Sequence, residues 1–185
     1  MDLFTLNMEN QLKEKAPLAD RMRPETIYEF VGQKHILGEG KFLNRAIKAD
    51  RINSMIFYGP PGTGKTTLAM IIANSTNMDF EKLSAVTSGV KDIREVINKA
   101  EEGLKLYNKR TMLFIEVNKA LLSRMMVIPL KSLNNEDIYK ILMNGLRNRE
   151  KGLGSYKVNI SDESIDYLIT ISDGDGRLAL NSLEI

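Results

Sequence analysis

The chain has 185 residues, no cysteine and a formal net charge of +2. This length suits one medium-sized domain or a domain with a small appendage, and the absence of cysteine excludes disulfides and thiolate metal sites. The small net charge does not by itself indicate a nucleic-acid-binding protein. No apolar run approaches the ~20 residues of a membrane helix, and the first residues lack a signal-peptide pattern. We therefore expect a cytoplasmic protein that does not enter a membrane.

The first third of the chain carries weaker patterns than the rest. Residues 1–16 are polar, and we interpret them as an N-terminal arm. The segment Pro17 to Pro24 predicts extended or turned backbone, because proline disfavours helix at the residue before it. Apolar residues at helical spacing predict a helix within Lys41 to Arg51.

A phosphate-binding loop is indicated in the middle of the chain. The residues fit G-x-x-x-x-G-K-[ST] and are followed by Thr67; they read Gly59-Pro60-Pro61-Gly62-Thr63-Gly64-Lys65-Thr66. A short apolar strand, Ser54–Tyr58, precedes the loop and a helix over Thr67–Ala73 follows it, which is the context that the motif requires. The glycines allow successive N–H groups to point at phosphate oxygens. We expect Lys65 to reach the β- and γ-phosphates and the Thr66 hydroxyl to bind Mg²⁺.

Strands alternate with helices on both sides of this loop. Residues Asp79–Ser84 predict a second strand, and Val90–Tyr107 predicts an amphipathic helix. Two further apolar runs, Thr111–Ile115 and Met125–Leu130, predict buried strands. This order predicts an α/β fold of three layers, a parallel sheet covered by helices on both faces.

The pattern changes after Leu130. Helix signals begin near Asn134, Ser161 and Arg177, and they are separated by Gly-rich breaks. Three helices in this order predict a small helical lid. The predicted organisation is therefore a nucleotide-binding core over residues 17–130 and a lid over residues 131–185.

Four stretches carry a family resemblance that spans nearly the whole chain. They are residues 16–35, the phosphate-binding loop, Leu83–Arg94, and Ala120–Arg124 together with the Asp173–Arg177 segment of the lid. In these stretches the chain resembles AAA+ ATPases. More narrowly, it resembles the bacterial replication-associated recombination protein A family, whose eukaryotic relative is the Werner-helicase-interacting protein.

The resemblance implies a set of site residues. Val31 and Gly32 would line an adenine pocket, and residues 59–67 would hold ATP or ADP with Mg²⁺. Arg177 would be the lid arginine that touches the γ-phosphate. Arg124 would be the finger that a neighbouring subunit inserts into the next site, a role worth roughly 10³–10⁵ in kcat in other enzymes. Judged without the resemblance, Arg124 is more simply a solvated charge at a helix end.

The resemblance also implies a cellular setting. The family acts in DNA replication and recombination at stalled forks, on single-stranded or fork-like DNA, with partners such as single-stranded-DNA-binding protein. It is associated with the bacterial nucleoid, and it forms homo-oligomers through a helical domain that would follow Ile185. We therefore expect this lid to be incomplete and the oligomerisation domain to be absent.

The chain departs from the family pattern after the third strand. An ATPase of this class needs two acids there, one for Mg²⁺ and one to orient the attacking water, but only Glu116 follows Ile115. Either Glu116 is a remnant of the pair, or Glu116–Arg124 belongs to the stretch before the finger and a block is absent after Ile115. We favour the second interpretation because it accounts for the whole run.

The missing block would contain the acidic pair, a helix, a strand and the polar sensor at that strand's end. In the family, this strand lies between the first and third strands of the sheet. Its loss would make those two strands pair directly or leave both with unpaired groups, and each buried unpaired group costs roughly 1–3 kcal/mol.

Three functions remain open at this point. The first is an ATP-hydrolysing core of a replication and recombination factor. The second is a nucleotide-binding module that does not hydrolyse ATP, because the acidic pair is missing. The third is a clamp-loader-like or Holliday-junction-motor subunit, against which the Ser84–Arg94 stretch argues.

Overall fold

The computed structural model describes residues 15–84, 87–116 and 126–185. The predicted arm over residues 1–16 therefore falls almost wholly outside the described residues, and Arg124 lies outside them. The chain divides into two compact units. The α/β unit comprises residues 24–58 and 65–130, and the helical unit comprises the described residues up to Arg23, residues 59–64 and residues 131–185. Two segments of the core expected over residues 17–130, residues 17–23 and residues 59–64, thus belong to the helical unit.

The described helices and strands follow the predicted alternation. In chain order they are α1 Leu18–Arg21, α2 Lys34–Leu37, α3 Phe42–Lys48, β1 Met55–Tyr58, α4 Lys65–Ser75, β2 Asp79–Ser84, α5 Val90–Tyr107, β3 Thr111–Glu116, β4 Met126–Pro129, α6 Asn135–Arg147, α7 Asp162–Ser172 and α8 Gly176–Glu184. The predicted bounds of β2 and α5 are confirmed to the residue. No helix among these is both long and apolar enough to cross a membrane.

The strands form two parallel pairs, β1 with β4 and β2 with β3. Of the two arrangements expected after loss of a central strand, the structure has the second: β3 does not pair with β1. The prediction that β1, β3 and β4 are buried is wrong, because Ile128 is the only buried residue within these three strands and Tyr58 is 50% exposed. The backbone groups on the unpaired edges are therefore not sealed from water, which lowers the cost of leaving them without a partner strand.

The core of the α/β unit forms around α4. This helix has an almost continuous apolar sequence, so it buries residues on several sides; they are Leu68, Ala69, Ile71, Ile72 and Ala73. Both strand pairs contribute to the same cluster, since Met55 and Phe57 of β1, Met112 of β3 and Ile128 of β4 belong to it. The helix that follows the phosphate-binding loop is therefore anchored on both pairs of strands.

The helical unit has its own core, formed by α6, α7 and α8. Its buried apolar residues are Leu133, Ile138, Leu142, Ile165, Ile169 and Ala179. The first two helices have side-chain caps, because Asn134 accepts from the Asp137 N–H at 2.8 Å and Ser161 accepts from the Ser164 N–H at 3.2 Å. Such caps satisfy N–H groups that have no partner within the helix.

The short helix α1 is joined to the end of α8 by one carboxylate. Glu184 accepts a hydrogen bond from the Leu18 N–H and pairs with the Arg21 guanidinium, both at 2.7 Å. The expectation of purely extended or turned backbone over residues 17–24 is wrong. Proline disfavours helix only at the residue before it. The four residues that follow Pro17 can therefore form a helix, and Pro17 is its N-cap residue.

Candidate nucleotide-binding site

The phosphate-binding loop lies where the motif requires, after the end of β1 and before the start of α4. Gly62 and Gly64 have φ angles of +66° and +90°, in the left-handed region that favours glycine. Thr63 is 2% exposed and its hydroxyl donates to the Pro60 carbonyl oxygen at 2.9 Å. The loop is therefore held in a tight turn by its own residues.

The three polar residues after the loop begin α4. Lys65, Thr66 and Thr67 occupy its first turn and are half-buried. The first N–H groups of a helix have no partner within it and attract anions. This end of the α/β unit thus presents backbone donors, an ammonium group and two hydroxyls to a phosphate ligand.

Glu116 lies beside this helix start. The Thr66 hydroxyl donates to Glu116 Oε1 at 3.3 Å, and Lys82 Nζ lies 3.2 Å from the same oxygen. The register of the parallel pair sets Ser84 opposite Glu116, so Lys82, two residues earlier, is on the same face of the sheet as Glu116. This contact with Thr66 is the one that the interpretation of Glu116 as a remnant of the acidic pair requires. The favoured assignment of Glu116–Arg124 to the stretch before the finger stays a prediction.

The oxygen donors near the start of α4 suit a Mg²⁺ ion that is shared with a bound nucleotide. Mg²⁺ prefers oxygen ligands, keeps several waters, and binds through one or two carboxylates together with substrate phosphates. The Thr66 hydroxyl and the Glu116 carboxylate supply such oxygens. Within the described ranges, no group of three or more His, Asp or Glu side chains could hold a metal by itself. A magnesium ion would therefore depend on the nucleotide for its remaining ligands.

The start of α8 presents the lid arginine. Asp175 caps this helix, and its Oδ1 accepts from the Arg177 and Leu178 N–H groups at 2.8 and 3.0 Å. The preceding Gly174 has a φ of +77°, and its carbonyl accepts from the Leu133 N–H at 3.2 Å. Arg177 is exposed in the first turn of α8.

Asp175 also contacts the phosphate-binding loop within the helical unit. A Cβ atom added to Gly62 would overlap the Asp175 carboxylate, so that carboxylate lies directly against the Gly62 backbone. A Cβ atom on Gly176 would lie 3.7 Å from the Gly62 carbonyl oxygen. From the sequence, Asp173–Gly176 is a helix break and part of a stretch that carries the family resemblance. The helix-capping role of Asp175 could have been predicted from the sequence, because aspartate is a preferred N-cap residue. Its contact with Gly62 could not.

The residues expected to line an adenine pocket precede α2 in the α/β unit. Val31 and Gly32 are both half-buried, and Gly32 has a φ of +83°. His35 is exposed, and its Nε2 lies 2.9 Å from the Pro129 carbonyl oxygen at the end of β4. The assignment of Val31 and Gly32 to adenine stays a prediction, as do the roles of Arg124 and Arg177.

A family model and several curated proteins are similar to this chain. The family described as the Holliday junction DNA helicase RuvB P-loop domain matches residues 22–147. Replication-associated recombination protein A of Escherichia coli (strain K12) is 41% identical, covering 91% of this chain and 45% of that protein. The protein of the same name from Bacillus subtilis is 34% identical, covering 91% and 47%. ATPase WRNIP1 of Dictyostelium discoideum is 34% identical, covering 94% and 24%.

The alignment with one relative is longer than the part of this chain that it covers. The alignment with the Escherichia coli protein runs over 204 positions, whereas 91% of 185 residues is about 168, so about 36 positions have no counterpart here. An internally shortened chain is expected to give this difference. The chain also spans less than half the length of the curated bacterial relatives named above.

Solved structures agree with the fold. The Thermotoga maritima RuvB Holliday junction branch migration motor has a TM-score of 0.67 with 20% identity, covering 89% of this chain and 64% of that one. At this identity the likeness concerns the fold alone. The family match over residues 22–147 decides the membership. This chain belongs to the AAA+ ATPases of the RuvB P-loop domain family, and its curated relatives include replication-associated recombination proteins.

Proposed function

We propose that this chain binds ATP with Mg²⁺ and hydrolyses it slowly, as the nucleotide-driven core of a DNA replication and recombination factor. The observation that carries the proposal is the Glu116 carboxylate, 3.3 Å from the Thr66 hydroxyl at the start of α4. The loop supplies backbone donors, Lys65 supplies a positive charge for the β- and γ-phosphates, and Thr66 with Glu116 supplies oxygens for the metal.

The chain's own residues limit the rate of hydrolysis. Bound Mg²⁺ would neutralise the charge that develops on the phosphates. Thr66 and Glu116 would hold the ion. Among the described residues, no second carboxylate then follows β3 to orient the attacking water. AAA+ enzymes divide these two tasks between two acids. We therefore expect ATP binding of ordinary strength with turnover well below that of an enzyme with both acids.

A nucleotide-binding module without turnover is the second candidate, and the single carboxylate at this position favours it. An ATP titration combined with a phosphate-release assay separates the two. Slow Mg²⁺-dependent release that saturates with ATP supports the ATPase, and binding without release supports the module. Lys65→Ala should abolish binding in either case, whereas Lys99→Ala removes an exposed lysine of α5 and should leave binding intact. Retained binding in Lys65→Ala would overturn the site assignment.

The cellular role is proposed from the relatives' names. Curated bacterial relatives are named for replication-associated recombination, which supports a role in that process. We further propose action at stalled forks on single-stranded or fork-like DNA, in the bacterial cytoplasm at the nucleoid. Single-stranded-DNA-binding protein and other copies of the chain are the proposed partners. In this setting Val31 and Gly32 would contact adenine, Arg177 would contact the γ-phosphate, and Arg124 would act in a neighbouring subunit.

The RuvB family match favours a different DNA substrate as an alternative. A Holliday-junction motor would prefer four-way junctions, whereas a fork factor would prefer forked or single-stranded DNA. Binding of labelled forked, single-stranded and four-way DNA at equal length, with ATP and Mg²⁺ present, tests this choice. Preference for the four-way junction would contradict the fork proposal.

A further inference from the structure

We propose that Asp175 is an electrostatic brake on nucleotide binding: its carboxylate lies against the phosphate-binding loop at Gly62 and opposes the polyphosphate that the loop attracts. The inference rests on the proposed nucleotide site and adds a residue that weakens it. The contact is internal to the helical unit, which contains both Gly59–Gly64 and α8.

The carboxylate is fixed in place from three sides. Two backbone N–H groups at the start of α8 donate to its Oδ1. The turn before it is held by Leu133, since the Leu133 N–H donates to the Gly174 carbonyl and a Cβ on Gly174 would come within 2.8 Å of the Leu133 carbonyl oxygen. The Gly62 backbone closes the third side. Asp175 therefore cannot turn away from the loop without giving up its cap.

Its charge is also not neutralised by a basic side chain. No lysine or arginine of the described residues forms an ion pair with Asp175 within 4.0 Å, whereas Arg21 pairs with Glu184 and Arg23 with Asp20 in the same unit. Among the described residues, the N–H groups at the helix start are what offsets the charge of Asp175. A nest of N–H groups attracts anions, and a carboxylate in contact with the loop repels the phosphates that enter it. The penalty grows with the number of phosphate charges.

Helix capping is the simpler role for Asp175, and one substitution separates the two roles. Asparagine caps a helix as well as aspartate does, so Asp175→Asn keeps the shape and the cap and removes the charge. Asp173→Asn is the matched control. Asp173 is exposed in the same turn with a φ of +45°, a conformation that asparagine adopts readily, and it caps no helix start.

The test measures dissociation constants of MgATP and MgADP for the intact chain and both variants, at low and high NaCl. For Asp175→Asn we expect about three- to ten-fold tighter ATP binding, as Coulomb's law gives for one charge several ångströms away in a screened site. The gain should be smaller for ADP and should shrink as salt is added. Asp173→Asn should change ATP binding much less.

Unchanged or weaker ATP binding by Asp175→Asn, with wild-type binding intact, would overturn the brake and leave the nucleotide site standing. An equal gain in Asp173→Asn would also overturn it, because the effect would then come from overall charge. Failure of the wild-type chain to bind MgATP would overturn both proposals. If Asp175→Asn does not fold, Asp175→Ser provides a smaller uncharged cap, and the same outcomes apply to it.

Discussion

Replacing Glu116 with glutamine tests whether this residue provides the metal-binding acid of the site. Glutamine has the same size and retains one carbonyl oxygen, but it carries no charge. Glu116 Oε1 accepts from the Thr66 hydroxyl at 3.3 Å, so the substitution alters a group next to the expected Mg²⁺ ligand. We expect nucleotide binding without Mg²⁺ to be little changed and its enhancement by Mg²⁺ to be reduced.

The size of the effect follows from two contributions. Loss of a carboxylate that only orients a metal ligand already costs about 10- to 100-fold in metal affinity, or about 1.4–2.7 kcal/mol, and loss of a carboxylate that itself holds the metal should cost at least as much. The same substitution breaks the ion pair with Lys82, whose side chain is 46% exposed while that of Glu116 is 48% exposed. An ion pair this exposed contributes about 0–1 kcal/mol. The metal effect should therefore exceed the loss of folding stability.

The assay is a Mg²⁺ titration of the binding of a fluorescent ATP analogue, with thermal unfolding measured on the same samples. Lys82→Met breaks the ion pair but keeps the carboxylate, so its Mg²⁺ midpoint should not rise. Glu81→Gln removes a carboxylate from the opposite face of β2 and should behave like wild type. A Glu116→Gln midpoint equal to that of wild type would refute the reasoning, and so would an equal rise in Glu81→Gln.

Two further predictions concern the stability of the helical unit. Glu184→Ala removes the acceptor of the part-buried Leu18 N–H and the partner of Arg21, so urea unfolding should show a loss of about 1–3 kcal/mol; Glu184→Gln, which retains an acceptor, should lose less, and equal losses would contradict this. Leu142→Ala empties a fully buried position of the core and should cost about 2–5 kcal/mol. Tyr139→Ala on the exposed side of the same helix should cost far less, and similar losses for the two would contradict the assigned core.

Local patterns predicted the elements that depend on neighbouring residues. The apolar spacing of Val90–Tyr107 and the alternation of Asp79–Ser84 gave both elements to the residue. The glycines and the flanking strand and helix located the phosphate-binding loop. These features depend on backbone preferences and on burial of one face, which a short stretch of sequence already specifies.

Contacts between distant residues were not predictable in the same way. Glu184 binds Leu18 and Arg21 across more than 160 residues, and Glu116 reaches Thr66 across 50. Nothing in the local sequence of Asp175 shows that its carboxylate lies against Gly62. The exposure of the strands was not predictable for a related reason. The apolar character of Thr111–Ile115 indicates a strand, but how far that strand is exposed depends on which strands and helices lie next to it.

The unpaired strand edges have a consequence for how the chain behaves in solution. In the part of the chain that the structure describes, β1 and β3 each bond to one neighbouring strand, and both contribute residues to the apolar cluster that contains Leu68 and Ile72 of α4. A free strand edge is a template for another extended segment. Concentrated preparations should therefore favour self-association through strand addition, and a short peptide that adds to either edge would act as a solubilising cap.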